Sequence, residues 1–269
     1  MSFKLSIIIV CFNSEKYIAD SIESVINQTC NLWELIIVNG YSKDNTDSII
    51  KEYSKYISIY INEPDEGIYN AMNKGAKFAK GSHISFLNSD DLYLPEFVQE
   101  IFNISKINRS PFLVSPVSLV SENLKDMGLM LPMNNHSVDH LSACIPFPHL
   151  GLITNIDVFR DLNGFDEKWR YSSDYDFCLR LLKIYQYNYL CITKPLTRFR
   201  AGGASYGIKS NIDTFKMRKF HFGQMVALKC LLRTLLIRFA SIIIPKFLFL
   251  KLRKTFSRSY NYKWVKINY

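Results

Sequence analysis

The stretch HISFLNSDD, residues His83–Asp91, decides how this chain is interpreted. Its apolar part predicts a buried β-strand, and the strand ends abruptly in two adjacent carboxylates, Asp90 and Asp91. In an open α/β sheet, ligands bind outside the carboxyl ends of the strands, and Mg²⁺ and Mn²⁺ favour carboxylate oxygens. The pair therefore indicates a divalent-cation site. Taken alone, the stretch also fits a solvated turn in which an Asp caps the next helix.

Apolar runs and helical spacings alternate upstream of this strand. Continuous runs rich in β-branched residues predict strands that are buried on both faces. The expected strands are 5–10, 35–38 and 57–61; the expected helices follow a cap at Asn13 or Ser14, follow a cap at Ser42 or Asp44, and span 68–79. Gly81 is expected to end the third helix in the left-handed conformation. The pattern predicts an α/β fold with a Rossmann-like, mostly parallel central sheet flanked by helices.

The pattern downstream of Asp91 is less regular. It predicts strands within 112–120, 124–135, 147–153 and 187–199, a short helix at 157–162, and a helix that opens at Ser173 or Asp174. A length of 269 residues suits one large α/β domain, or one domain with an appendage. The six cysteines form no C-x-x-C pair and are interpreted as reduced thiols of a cytoplasmic protein. No signal peptide is expected, because Lys4 interrupts the first apolar run.

The net charge of +9 is divided unevenly along the chain. Residues 1–208 hold 19 Lys and Arg against 23 Asp and Glu, a net of −4, whereas residues 209–269 hold 14 against one, a net of +13. This second segment is expected to be a basic, amphipathic helical extension. Within Met225–Lys254, the expected helical part of this extension, the longest uncharged run, Phe239–Pro245, is too short to span a bilayer. We therefore expect the extension to hold the protein at the anionic inner face of the plasma membrane. The alternative is a helix that packs on the core with a solvated basic face.

Five short motifs occur in a fixed order within residues 4–206. They are SIII with Phe12 and Asn13, VNGYSKDNT at 38–46, NKG and AKG within 73–81, FLNSDD at 86–91, and GFDE with SDYDFCLR within 164–180. Together they resemble family 2 glycosyltransferases. The segment EPDEGIYNAMNKG at 63–75 looks like a bacterial branch that builds surface polysaccharides such as O-antigen or capsule. The resemblance implies a GT-A catalytic domain over 1–208, with a nucleotide-sugar half at 1–105 and an acceptor half at 106–208.

The resemblance also implies a reaction. It is the metal-dependent, inverting transfer of a sugar from a nucleotide-sugar, expected to be UDP-linked, to a lipid-linked or growing glycan. By position in the motifs, Asp90 is the expected ligand of Mn²⁺ or Mg²⁺, and Asp174 is the expected catalytic base. Asn88 and Asn39 stand where the family usually has acids, at the first position of its D-x-D motif and at the contact with the nucleotide base.

The chemistry by itself requires two acids of this kind. Negative charge accumulates on the leaving diphosphate and has to be neutralised by a cation. The acceptor hydroxyl has a high pKa, so a carboxylate has to take its proton during the attack.

Further candidates come from the same motifs. The expected donor-binding residues are Phe12, Asn13, Asn39, Asp65, Asn73, Lys74, Asn88 and Ser89. Secondary candidates are Asp91 as an additional acid, Asp176 as the alternative base, His149 as a contact to acceptor or diphosphate, and Arg198 or Arg200 as a diphosphate clamp. Structural roles are the alternatives: helix capping and pairing with Arg180 for the two helix acids, a solvated Lys74, and a buried, satisfied His149.

Two other classes of protein fit parts of the sequence. A nucleotidyltransferase also sets acidic metal ligands on an α/β sheet, but it typically carries a Gly-rich loop after the first strand, where this chain has CFNS at 11–14. A nucleic-acid-binding protein could use the aromatic residues Tyr260, Tyr262 and Trp264 among the cations of the tail. The leucine-rich stretch before them is not needed for that role, so no nucleic-acid partner is expected.

Overall fold

Strands and helices alternate along the chain and are followed by two long helices. The structure is a computed structural model that describes residues 3–133, 136–201, 208–243 and 262–263. The strands are β1 (Leu5–Cys11), β2 (Trp33–Asn39), β3 (Ile59–Asn62), β4 (His83–Asn88), β5 (Leu92–Tyr93), β6 (Phe112–Val114), β7 (Val117–Val120), β8 (Asp126–Met130), β9 (Leu152–Asn155), β10 (Leu190–Cys191), β11 (Thr197–Arg200) and β12 (Tyr262–Lys263). The helices are α1 (Ile18–Ile26), α2 (Thr46–Glu52), α3 (Ile68–Lys77), α4 (Phe97–Ile107), α5 (Val138–Ala143), α6 (Ile156–Asp161), α7 (Ser173–Tyr185), α8 (Ile208–Phe222) and α9 (Gln224–Ile243).

A seven-stranded sheet forms the centre, in the order β10-β6-β9-β4-β1-β2-β3. Strand β1 lies between β2 and β4 and runs parallel to both. Within this sheet only β9 runs antiparallel to its neighbours. Every residue of β1 is buried because helices cover both faces: Ile8 packs on the side of α3, α6 and α7, and Ile9 packs on the side of α1 and α4. The predicted fold class is confirmed.

A second, five-stranded sheet has the order β12-β8-β7-β11-β5 and was not predicted. The run 112–120, expected to be one strand, divides at Ser115 and Pro116, so that β6 joins the central sheet and β7 joins the second sheet. The Ser115 N–H donates to Gly151 O at 2.8 Å and continues the pairing of β6 with β9. The next residue, Pro116, has no N–H for a strand ladder, so the pairing ends there. The break gives the chain its second layer of strands.

The expected local roles of several loop residues were wrong. Gly81 does not adopt the left-handed conformation; a Cβ there would lie 2.5 Å from Lys4 O, so a close approach of two backbones requires the glycine. Helix α1 begins later than expected, and its first residue donates to the main-chain carbonyl of Ser14 at 3.0 Å. The side chains of Asn13 and Ser14 contact neighbouring loops instead of capping α1. At α2 the cap residue is Asn45 and not Ser42 or Asp44, although Asp44 Oδ1 accepts from Thr46 N, the first N–H of the helix, at 3.1 Å.

Helix α8 packs against the predicted catalytic domain. Met217 is fully buried beside Trp169, Tyr175 and Leu179, and α9 packs along α8 and α5. The division of the chain at residue 208 stays a prediction. Among the described residues, no helix is both long and apolar enough to cross a bilayer. The continuation of the predicted tail helix to residue 254, the glycine loop at 202–203, and the aromatic residues Tyr260 and Trp264 lie outside the described residues.

Candidate active site

Three loops meet where β1, β2 and β4 end, at one edge of the central sheet. Ser14, after β1, has its Oγ 2.7 Å from Oγ of Ser89, after β4. The N–H of Ser14 also donates to Oγ1 of Thr46, after β2, at 2.7 Å. Parallel strands place their carboxyl ends at the same edge, and these three residues accordingly lie in contact there.

The loop after β1 presents an aromatic ring beside a carboxylate. Phe12 is exposed, and a Cβ built on Gly40 would lie 3.4 Å from the Phe12 ring and 2.3 Å from Oδ2 of Asp65. The other oxygen of Asp65, Oδ1, accepts from Gly67 N at 2.8 Å. Asn13, at φ +50°, accepts from Lys43 N at 2.9 Å through its Oδ1. The region therefore has an open apolar surface bordered by backbone turns and one carboxylate.

Asn39 lies beneath this loop and is fully buried. Its Oδ1 accepts from Ser42 N at 3.1 Å and from Ser42 Oγ at 2.6 Å, and its Nδ2 donates to the Tyr60 hydroxyl at 3.2 Å. The Asn39 amide is thus bonded within the chain, where it shapes the loop that follows β2.

The two acids after β4 lie in different environments. Asp91 is fully buried and accepts from Arg200 N at 2.8 Å and from Asn88 Nδ2 at 2.9 Å. Burial, reinforced by the charge of Asp90, raises the pKa of Asp91 to about 8. Asp90 is half-buried, and burial raises its pKa while the Arg200 charge opposes that rise. Asp91 therefore holds the loop and Asp90 remains the carboxylate open to a ligand.

The residues present suit a hard divalent cation. Asn88 Oδ1 is buried and has no hydrogen-bond partner among the described residues, and it comes from the same strand end as Asp90. An unpartnered buried acceptor carries a desolvation cost that a bound cation would relieve. The part of the chain that the structure describes contains no group of three or more His, Cys, Asp or Glu side chains that could hold a metal. Two protein oxygens fit Mg²⁺ or Mn²⁺ only when phosphate oxygens complete the coordination, which is how Mg²⁺ usually binds at phosphate-transfer sites.

Arg200 is a buried cation at this edge. Its Nη2 donates to Asp20 Oδ2 at 2.9 Å, and its guanidinium lies 4.2 Å from the centre of the Tyr17 ring. Its Nε and Nη1 are buried, and within the described residues neither has a hydrogen-bond partner. Arg198 lies two residues earlier in β11, opposite Leu92. Of the two predicted clamp residues, Arg200 is the one with buried, unpaired donors close to Asp90.

Asp174 lies in the first turn of α7 and is half-buried. Its Oδ1 accepts from the Tyr69 hydroxyl at 2.8 Å and from Tyr175 N at 2.8 Å. Burial, with the Asp174 charge as the second cause, raises the pKa of Tyr69 well above its usual value, so the phenol keeps its proton. Sequence reasoning missed Tyr69, although it lies inside the segment EPDEGIYN, and its position on the inner face of α3 was a usable signal.

Asp176, the alternative base, has both oxygens engaged by neighbouring side chains. Oδ2 lies 2.7 Å from Arg180 Nε, and Oδ1 lies 2.7 Å from His221 Nε2. Burial alone would raise the pKa of Asp176, but the hydrogen bonds from His221 and Arg180 outweigh it and hold the pKa below its usual value. The engagement of both oxygens leaves Asp174 as the more available carboxylate of this helix.

His149 lies between the strand end and α7. Its ring stacks on Phe86 of β4, with 6.2 Å between ring centres, and lies 5.9 Å from the Phe165 ring. Neither ring nitrogen has a hydrogen-bond partner among the described residues. Burial lowers the pKa of His149, and the negative charge of Asp174 partly opposes that shift. His149 is therefore neutral at physiological pH. The surroundings of His149 therefore include Phe86 of β4, four residues before Asp90, and the charge of Asp174 at the start of α7.

Asn73 and Lys74 are held by contacts within the chain. Asn73 Nδ2 donates to Phe165 O and to Glu167 Oε1, each at 2.8 Å, and its Oδ1 accepts from Phe165 N at 3.0 Å. Lys74 Nζ donates to Pro64 O at 2.7 Å and pairs with Glu63 at 2.8 Å. Asn73 therefore fastens the GFDE loop to α3, and Lys74 fastens the turn before that helix.

The strand order and the helices that flank the central sheet define the class of fold. TarS of S. aureus (residues 1–349, in complex with UDP-GlcNAc) superposes with a TM-score of 0.63 at 18% identity, over 80% of this chain and 64% of that one. The UDP complex of the same protein has a TM-score of 0.63 at 16% identity, over 91% of this chain and 76% of that one. The chain has the GT-A fold that was predicted.

Sequence comparison gives the family. Residues 6–131 match the model of Glycosyl transferase family 2. An uncharacterised glycosyltransferase of Rickettsia typhi is 31% identical over 190 residues, 67% of this chain and 59% of the relative's length. UDP-Glc:alpha-D-GlcNAc-diphosphoundecaprenol beta-1,3-glucosyltransferase WfgD of Escherichia coli is 29% identical over 182 residues, 67% of this chain and 70% of the relative. Residues 6–131 therefore belong to glycosyl transferase family 2, as the motifs predicted. The chain spans less than two thirds of the length of the Rickettsia relative.

Proposed function

We propose that this chain is a metal-dependent, inverting glycosyltransferase. It moves a sugar from a UDP-linked donor to a lipid-linked or growing glycan in the synthesis of a bacterial surface polysaccharide. The observation that carries the proposal is the presence of suitable oxygen groups at two places in the fold. Asp90 follows β4, two residues after Asn88, whose Oδ1 has no hydrogen-bond partner among the described residues, and Asp174 lies at the start of α7. His149 supports this arrangement, because it stacks on Phe86 of β4 and feels the charge of Asp174.

The donor proposal has two supports. WfgD is named for UDP-Glc as its donor, and TarS has been solved with UDP and with UDP-GlcNAc. On this chain, the exposed Phe12 ring offers a stacking surface for a nucleotide base. The buried Arg200 Nε and Nη1 offer hydrogen-bond donors for the diphosphate.

Asp90 and Asn88 would hold the cation, Mn²⁺ or Mg²⁺, through carboxylate and amide oxygens. When bound, the cation supplies positive charge against the negative charge that gathers on the leaving diphosphate. Asp91 keeps this strand end in place through its bonds to Arg200 N and Asn88 Nδ2.

Asp174 would take the proton of the acceptor hydroxyl. As the acceptor oxygen forms its bond to the anomeric carbon, the bond from that carbon to the diphosphate oxygen breaks and its electron pair leaves with UDP. Attack from the face opposite the leaving group inverts the anomeric configuration. Tyr69 holds Asp174 in place through Oδ1, and the described residues give Oδ2 no hydrogen-bond partner, which leaves it free for the incoming hydroxyl.

We also propose a lipid-linked acceptor and a location at the inner face of the plasma membrane. The name of WfgD specifies an acceptor on diphosphoundecaprenol, which is a membrane lipid. The net charge of +13 in residues 209–269 matches an anionic surface.

Release of UDP tests the proposed function without an acceptor, since water can replace the hydroxyl. UDP-Glc and UDP-GlcNAc are supplied with Mn²⁺, with Mg²⁺, or with a chelator, to wild type, Asp90→Asn and Asn88→Ala. We expect release that needs the metal, a loss of about 100-fold in Asp90→Asn, and a rise of about tenfold in the half-saturating metal concentration in Asn88→Ala. Asp126→Asn, on the exposed strand β8, is the matched control. Equal release with chelator, or a wild-type rate in Asp90→Asn, would refute the metal role.

A further inference from the structure

Helix α9 is divided lengthwise into stripes with different surroundings. One stripe faces the protein: Ala227 is almost fully buried, and the Cys230 thiol donates to Ser142 O at 3.4 Å. Leu231 and Thr234 continue this stripe and are half-buried. These four residues follow the i, i+3, i+4, i+7 spacing of one helix face, which packs on α5 and α8.

The opposite stripe is apolar and exposed. At 100° per residue, its members fall within an arc of roughly 100°. We call this stripe the α9 apolar face; it consists of Met225, Leu228, Leu232, Leu235, Leu236 and Phe239, whose exposed fractions run from 41% to 77%. A surface helix that already has a packing stripe normally presents polar side chains on the other side. Contiguous exposed apolar surface of this kind marks a site of interaction.

Cations border the α9 apolar face. Lys229 and Arg233 follow its edge one turn apart, and α9 contains no acidic residue. The same imbalance extends along 209–269, where Asp213 is the one acid against 14 cations. A row of cations beside an apolar stripe matches the boundary between anionic headgroups and acyl chains.

Charge also disfavours two other groups that could cover the α9 apolar face, namely a second copy of the chain and residues 244–269. A second copy of α9 would bring its own cations against Lys229 and Arg233 with no acid to pair with them. Residues 244–269 contain seven Lys and Arg and no acid, so that segment too would add like charge. Like charges that face each other at an interface are unfavourable, whereas phosphatidylglycerol headgroups supply the complementary sign.

We propose that the α9 apolar face is a lipid-binding surface, on which α9 lies parallel to an anionic bilayer with its leucines below the headgroups. This inference rests on the membrane location in the proposed function and identifies the part of the chain that would contact the membrane. Lys229 then contacts headgroup phosphates, and the packing stripe keeps the remainder of the protein on the aqueous side.

Vesicle co-sedimentation of the full chain tests the surface. The probes are phosphatidylcholine vesicles with and without phosphatidylglycerol, and the variant is Leu232→Glu with Leu236→Glu. We expect binding to the anionic vesicles that falls with added salt, and a loss of affinity of about tenfold or more in the double variant. Ile107→Glu, on α4, is the matched control because Ile107 is 90% exposed outside this face; it should bind as wild type does.

Thermal melting, UDP release and light scattering complete the test. Thermal melting should show that the double variant folds, and its acceptor-free release of UDP should equal that of wild type, which separates a failure here from a failure of the proposed chemistry. Anionic-vesicle binding that the double variant retains would overturn the proposal. Light scattering that shows a wild-type dimer, reduced to a monomer by the double variant, would assign the face to a second copy instead.

Discussion

The Tyr69 hydroxyl donates a 2.8 Å hydrogen bond to Oδ1 of Asp174. It connects α3, in the first half of the chain, with the acid at the start of α7 in the second half. Tyr69 is buried, and the phenol ring lies 5.3 Å from Phe165 of the GFDE loop. A donor that is fixed by packing fixes the carboxylate that accepts from it, so the proposed base has a single orientation.

Removal of this hydroxyl should therefore slow the reaction without unfolding the protein. For Tyr69→Phe we expect kcat for UDP release to fall by about tenfold, because a hydrogen bond to a charged group contributes roughly 1.5–3 kcal/mol. The KM for the UDP-sugar should change little. Steady-state kinetics provide the measurement, with Tyr56→Phe, an exposed tyrosine of the same half, as control. An unchanged kcat in Tyr69→Phe would show that the bond has no part in the reaction.

Asp213 of α8 holds the chain just before the proposed base. Its Oδ2 accepts from Tyr171 N and from Ser172 Oγ, each at 2.8 Å. Asp213→Ala leaves both donors without this acceptor, and we expect a loss of about 1–2 kcal/mol in the free energy of unfolding together with a lower kcat. Asp213→Asn retains an acceptor oxygen, so its free energy of unfolding and its kcat should both lie close to the wild-type values. If kcat stays at the wild-type level in a folded Asp213→Ala protein, α8 does not position the base.

The stability of the protein should depend on pH through Asp176. Its folded pKa is lowered, so its ionised form stabilises the fold above the unfolded pKa of about 3.9, and this contribution disappears as the pH falls through the folded pKa. Asp176→Asn should cost about 3–5 kcal/mol near neutral pH, since Arg180 and His221 lose their partner. The difference in the free energy of unfolding between Asp176→Asn and wild type should become smaller at acidic pH. Urea unfolding at several pH values measures it, with the exposed Asp161→Asn as control; a difference that is constant with pH would contradict this prediction.

The parallel core could be predicted because its strands carry their own signal. Ile7–Cys11 in β1 and Leu35–Val38 in β2 are continuous apolar runs, and such runs indicate strands that are buried on both faces. The acids after β4 could be placed at the ligand edge for the same reason, since parallel strands end together. The second sheet could not be predicted, because strands such as Leu92–Tyr93 have only two residues. Such a strand is too short to show an alternating pattern, and it forms by pairing with a strand far away in the sequence.

Hydrogen bonds between side chains that lie far apart in the sequence could not be predicted either. Asn73 and Lys74 are predicted from their motif to bind the donor, and this stays a prediction; their hydrogen bonds to Phe165, Glu167 and the Pro64 turn were not predicted. Asp213 could not be connected to Ser172 from the sequence, since 41 positions separate them and no periodicity encodes a contact between an α8 side chain and the start of α7.

The most direct test of the account is the activity of Asp174→Asn. The readouts are UDP release from UDP-Glc and UDP-GlcNAc with Mn²⁺, and the rise in melting temperature that UDP produces. We predict that release falls by roughly 10²–10⁴-fold, the usual contribution of a general base, while the UDP-induced rise in melting temperature persists and Asp161→Asn behaves as wild type. Release at the wild-type rate by a folded Asp174→Asn protein would contradict the assignment of Asp174 as the base.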